Sequence, residues 1–92
     1  MSYTLRAMLR EAGSMLPTAA PAVAENVCTK TAFVEFLEYN EFELAMEQLE
    51  GLGESYKMPV RFWSLLLACA KIMELQTSAA YYERQIAACR NS

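Results

Sequence analysis

Apolar residues recur along the first sixteen positions at helical spacing. Leu5, Met8, Leu9, Ala12 and Leu16 stand at i, i+3, i+4, i+7 and i+11, the stripe of an amphipathic helix that buries one side. Arg6 and Arg10 fall on its other side, Gly13 and Ser14 are expected to fray its end, and Pro17 to Pro21 reads as a linker. A second helix is expected from Ala22 to Glu38, with Val23, Val27, Phe33, Val34 and Leu37 turned inward. Asn40 followed by Glu43 has the form of a capping box, which places the start of a third helix at Glu41.

At 100° per residue that third helix gathers Phe42, Ala45, Met46, Leu49 and Leu52 on one face. Its flank carries Glu43, Glu47, Glu50 and Glu54, within roughly 60° of one another. Gly53 is expected to stop the helix, leaving Glu54 to Met58 as a loop. Pro59 suits the first turn of a fourth helix, PVRFWSLLLACAKIMEL, which is apolar on most sides and carries Arg61, Ser64, Lys71 and Glu74 on its remaining strip. The fourth helix is therefore expected to be central. Thr77 or Ser78 would cap a fifth helix, with Ala79, Tyr82, Ile86 and Cys89 as its buried line. The fold class expected is all-α: a compact bundle of four to five short helices in one domain spanning residues 1–92.

Composition supports that reading. The chain has 92 residues, 54% hydrophobic and 21% charged, enough apolar material for one core. Three Gly and three Pro are few for a β-rich fold, and all eleven acidic residues are Glu, a better helix former than Asp. No apolar run is long enough to span a bilayer, and Arg6, Arg10 and Glu11 interrupt any signal-like segment. The three cysteines (Cys28, Cys69 and Cys89) show no framework spacing and are expected to be reduced thiols in a cytoplasmic protein, with Cys28 the most reactive.

Catalytic chemistry finds no foothold. The chain has no histidine, which removes Ser–His and Cys–His nucleophile pairs and the commonest metal ligand. No glycine-rich phosphate loop is present, so neither a cofactor nor a metal is expected, and the protein is not expected to be an enzyme. The feature above background is the stretch EFLEYNEFELAMEQLEGLGE, residues 35–54, in which seven of twenty residues are Glu and none is Lys or Arg. Like charges at i, i+4 cost a helix a few tenths of a kcal/mol, roughly, so such a stripe carries a small penalty. Aromatic residues lie among the acids: Phe36, Tyr39, Phe42 and Tyr56. Tyrosine beside charge is the composition of a protein-binding surface. Such a face suits a basic protein partner, whereas nucleic acid and anionic membranes are disfavoured by a net charge of −3.

The segment from about Val34 to Leu75 resembles the small MafI-like immunity proteins of bacterial polymorphic toxin systems, also called contact-dependent inhibition systems. The residues carrying the resemblance are Tyr39, Asn40, Glu41, Phe42, Ala45 and Leu49, followed by the proline-initiated, Leu-rich helix. The resemblance implies an antidote that binds and neutralises a cognate secreted toxin domain, of a class that is often a nuclease. The physical argument, not the resemblance, supplies the expected contact residues: Glu35, Glu38, Tyr39, Glu43, Glu47, Glu50, Glu54 and Tyr56. An alternative of another class is a small acidic helical chaperone or adaptor for a secreted or assembled protein, binding through Leu44 and Tyr81. Salt dependence separates the two, because steering by charge fades over a Debye length of about 8 Å at physiological ionic strength.

Overall fold

The computed structural model describes residues 2–16 and 30–91. The expected Pro17–Pro21 linker, the start of the second helix with Val23 and Val27, and Cys28 lie outside the described residues. Five helices account for nearly all of the rest: α1 (Ser2–Ser14), α2 (Lys30–Glu38), α3 (Phe42–Ser55), α4 (Val60–Ile72) and α5 (Gln76–Arg90). No strand occurs among the described residues. The all-α bundle expected from the periodicity is the fold observed.

The helices pair as two hairpins, α2 with α3 and α4 with α5, and α1 packs against both α3 and α4. The core follows the stripes read from the sequence. Leu9, Ala12, Ala45, Met46, Leu49, Phe62, Leu66, Cys69 and Ala70 are wholly buried, and Leu5, Leu16, Leu52 and Trp63 nearly so. The fourth helix is central, as its apolar breadth required, although Ile72 at its end is 54% exposed. Met58, in the connection before α4, is also buried. Periodicity had no means of finding it, because a lone connecting residue belongs to no stripe. Val34, expected inward, is 48% exposed instead. In α2 the i, i+4 pair Phe33 and Leu37 faces the core and Phe36 packs beside it, so the stripe leans away from Val34.

Both hairpins are built on the same corner. Asn40 is not the N-cap of α3; its φ of 60° puts it in the left-handed region. The Glu41 N–H donates to the Phe36 carbonyl at 2.8 Å and the Asn40 N–H to the Leu37 carbonyl at 3.2 Å. These are the paired bonds of a Schellman motif ending α2, in which Asn is an accepted substitute for Gly. Glu41 then serves as the N-cap of α3 with no side-chain capping bond. Asn suits an N-cap and a left-handed stop alike, and the sequence pattern does not separate the two. At the other corner Glu74 has φ 59°, with Leu75 N–H on the Ala70 carbonyl at 2.8 Å and Glu74 N–H on the Lys71 carbonyl at 3.2 Å. Glu74 therefore leaves the α4 strip, and Leu75, not Thr77 or Ser78, is the N-cap of α5. The half-buried Leu75 packs against the core, which pulls the turn tight and draws Thr77 into the first helical turn.

Gly53 does not stop α3, which continues to Ser55. Its role is close approach. A Cβ at Gly53 would lie 2.6 Å from Phe62 Cε2 and 3.1 Å from Trp63 Cη2, so only a bare backbone lets these rings seat against α3. Gly13 acts likewise toward Phe33, whose Cε2 would stand 2.6 Å from an added Cβ. Pro59 is the N-cap of α4, one residue earlier than a first-turn position. Two substitutions separate these glycine-like roles. Gly53→Ala is expected to destabilise the fold by about 1–3 kcal/mol, because the buried rings have nowhere to move. Glu74→Gly is expected to stabilise it by about 0.5–1 kcal/mol by relieving the left-handed side chain. Chemical denaturation of the two variants checks both signs.

Candidate protein-binding face

The glutamate stripe of α3 does not face one environment. Toward its C-terminal end, Glu50 is half-buried and Oε1 accepts a hydrogen bond from the Tyr82 hydroxyl at 2.8 Å. One turn on, Glu54 Oε2 accepts from the Tyr81 hydroxyl. These bonds tie α3 to α5, helices whose backbones are not among the closely packed pairs. The Tyr82 side chain is completely buried, and a buried phenol needs a partner for its O–H. Glu50 lies at the edge of the stripe next to the buried Met46, where that hydroxyl can reach it.

The tyrosines belong to an aromatic layer. Trp63 meets Phe62 edge-on with centroids 5.0 Å apart, Tyr81 edge-on at 6.1 Å and Tyr82 at 6.0 Å, and the two tyrosines meet each other at 5.7 Å. These are the separations at which ring quadrupoles favour offset or edge-to-face contact. The Arg84 guanidinium lies over the Tyr81 ring, 5.9 Å from its centroid. Burial raises the pKa of both phenols, and the adjacent glutamates raise them further: Glu50 at Tyr82, Glu54 at Tyr81. Burial alone pushes the Cys69 thiol up to about 12.

The other end of the hairpin is open. Glu35 and Glu38 of α2, Glu41 at the corner, and Glu43 and Glu47 of α3 are all exposed. Tyr39 is 76% exposed. Glu43 in the first turn of α3 also suits the positive end of the helix dipole. The corner is pinned from α1: an Arg6 Nη donates to Asn40 Oδ1, and the Arg6 guanidinium stacks on Phe42, 5.6 Å from the ring centroid. A second tie, between Arg61 and Glu11, joins α4 to α1. Both of its partners are well exposed, so it contributes at most about 1 kcal/mol.

Of the eight expected contact residues, the structure places Glu35, Glu38, Tyr39, Glu43 and Glu47 at the surface of the α2–α3 hairpin. Glu50 and Glu54 are instead engaged by α5, and Tyr56 is half-buried as the C-cap of α3, packed against the core. Tyr81 and Tyr82, donors to glutamate here, carry no such role in the sequence pattern. The sequence offers only adjacent tyrosines on one helix and a glutamate-rich stripe on another, with nothing local to pair the two. The pattern places Arg6 only on the polar side of α1, because a tie across 34 positions leaves no local signal. Charge is segregated over the chain: residues 31–56 hold seven Glu and no base, while the remaining residues hold four Glu and all eight Lys and Arg. Among the described residues no group of metal-binding side chains gathers, and no helix is long and apolar enough to cross a membrane. Comparison with family models, with curated proteins and with solved structures finds no match to this chain.

Because the folded pKa values of Tyr81 and Tyr82 lie above that of an unfolded tyrosine, about 10, their contribution is complete below that pH. It is lost as pH rises beyond it, when unfolded phenols ionise first. Stability measured by urea denaturation should therefore fall above pH 10, and Tyr82→Phe should flatten that fall. Tyrosinate absorbance rising for every tyrosine near pH 10 while the protein stays folded would contradict the Tyr–Glu bonds.

Proposed function

We propose that this chain is an immunity protein that binds and neutralises a cognate secreted toxin domain, acting in the cytoplasm of the cell that carries both. The observation that carries this reading is the α2–α3 hairpin, which beyond Lys30 at its start is acid-rich, carries no base from residue 31 to 56, and presents an exposed tyrosine among its carboxylates. A carboxylate surface with a rigid aromatic anchor complements a basic cleft of the kind that holds a phosphate backbone in nucleases. Filling such a cleft would exclude the nucleic acid and silence the toxin. The sequence resemblance to MafI-like proteins points the same way, and its span from about Val34 to Leu75 includes the corner and all of α3.

Binding needs no catalysis, and the absence of histidine from the chain accords with an inhibitor. A chaperone or adaptor would rely on exposed apolar area at Leu44 and Tyr81. Leu44 is 39% exposed, but the Tyr81 ring is held against Trp63 and its hydroxyl on Glu54, which leaves that alternative with one of its two contacts.

Reversing charge at Glu35, Glu38 and Glu43 tests the proposal without touching the Tyr–Glu bonds. Growth is scored on co-expression with the cognate toxin domain, to be sought as the C-terminal domain of a secreted protein encoded immediately upstream. The wild-type chain should protect. The triple Lys variant should keep its helical circular dichroism and fail to protect, mainly through slower association if the charges lie on the rim of the interface. Full protection by the folded triple variant would show the face to be an ordinary solvated surface.

A further inference from the structure

The acidic hairpin has one end engaged by α5 and one end whose carboxylates are exposed, and the two ends differ in chemistry. Near Ser55 the carboxylates of Glu50 and Glu54 already accept tyrosine hydroxyls from the same chain. Near the α2–α3 corner the only exposed aromatic ring among the described side chains, Tyr39, stands immediately before the left-handed Asn40. Its backbone position is fixed by the paired Schellman bonds and by the Tyr39 N–H bond to the Glu35 carbonyl at 3.1 Å. Arg6 secures the same corner through Asn40 and Phe42. A ring held on so constrained a backbone loses little freedom on binding.

We propose that this corner is the centre of the recognition surface, and that it receives an arginine-bearing loop of a protein partner, with one guanidinium stacked on Tyr39 and paired with the exposed carboxylates of Glu38, its neighbour in the chain, and Glu43, in the first turn of α3. The inference deepens the binding role proposed above and rests on it for the partner's biology, though its chemistry can be tested apart. A guanidinium is the group that can both stack on a ring and pair with a carboxylate in fork geometry; the ammonium of lysine is a point charge that does only part of this. Nucleic acid is repelled by the surrounding glutamates. A second copy of this chain is a poor source, because three of its five arginines serve its own fold: Arg6 at the corner, Arg61 on Glu11 and Arg84 over Tyr81.

The probe is hexa-arginine amide, with hexalysine amide as the equally charged comparison, titrated at low ionic strength into the ¹⁵N-labelled protein. Amide shifts should concentrate between Glu35 and Glu43, and hexa-arginine should bind more tightly. Tyr39→Ala should weaken hexa-arginine about threefold and narrow its advantage over hexalysine, whereas Leu44→Ala should change neither. Unchanged binding by Tyr39→Ala, or shifts centred on Glu50 to Glu54, would overturn the proposal. So would concentration-dependent shifts of the corner amides without peptide, which would make a second copy the occupant. Failure of growth protection alone would remove the toxin as partner while leaving the peptide result standing.

Discussion

A bare backbone at Gly53 lets Phe62 and Trp63 lie against α3, and much of the architecture depends on that approach. The two rings bring the aromatic layer close enough for Tyr81 and Tyr82 to reach across from α5 to glutamates of α3. Without it α5 would be joined to the bundle mainly through α4, since its backbone does not pack closely on α3. The hydroxyl of a buried tyrosine is costly to leave unpaired, so Glu50 is less an ornament of the surface than the acceptor that permits Tyr82 to be buried. The same bonds ease a stripe of like charges by supplying donors to two of its four members.

The stripe is thereby divided. Its C-terminal half is engaged by tyrosines of α5, Glu50 part-buried and Glu54 at the surface, and its N-terminal half, with the acids of α2, is presented to solvent on the side of Tyr39. Arg6 holds the presented end from α1, and the Tyr–Glu bonds hold the other end from α5. The hairpin that carries the proposed binding face is therefore braced at both ends by helices that take no part in that face. Such bracing favours recognition by a preformed surface over folding on contact.

The elements themselves were legible because their stripes are long and clean. Leu5 to Leu16, Phe42 to Leu52 and the broad apolar α4 each repeat often enough to specify a face, and each lies where its pattern placed it. The connections were not legible, and for a definite reason. Asn40 fits an N-cap or a left-handed stop, and choosing between them requires knowing where the Phe36 and Leu37 carbonyls find donors. Glu74 in the left-handed region is invisible to propensity, since nothing local favours it over glycine. Gly53 read as a terminator because glycine ordinarily weakens a helix, whereas here the ring packed over it decides. For the candidate face, the concentration of acid was plain in the sequence. Its division was not, because it depends on which carboxylates lie within reach of a distant helix.

The claim that the Tyr–Glu bonds divide the stripe is tested most directly by a double-mutant cycle on Tyr82→Phe and Glu50→Ala, with unfolding free energies measured at neutral pH. A hydrogen bond to a carboxylate, part-buried as this one is, predicts a coupling of about 1–2 kcal/mol between the two changes. Additivity within about 0.3 kcal/mol would mean that Glu50 is an ordinary member of the exposed stripe and that Tyr82 is held by packing alone.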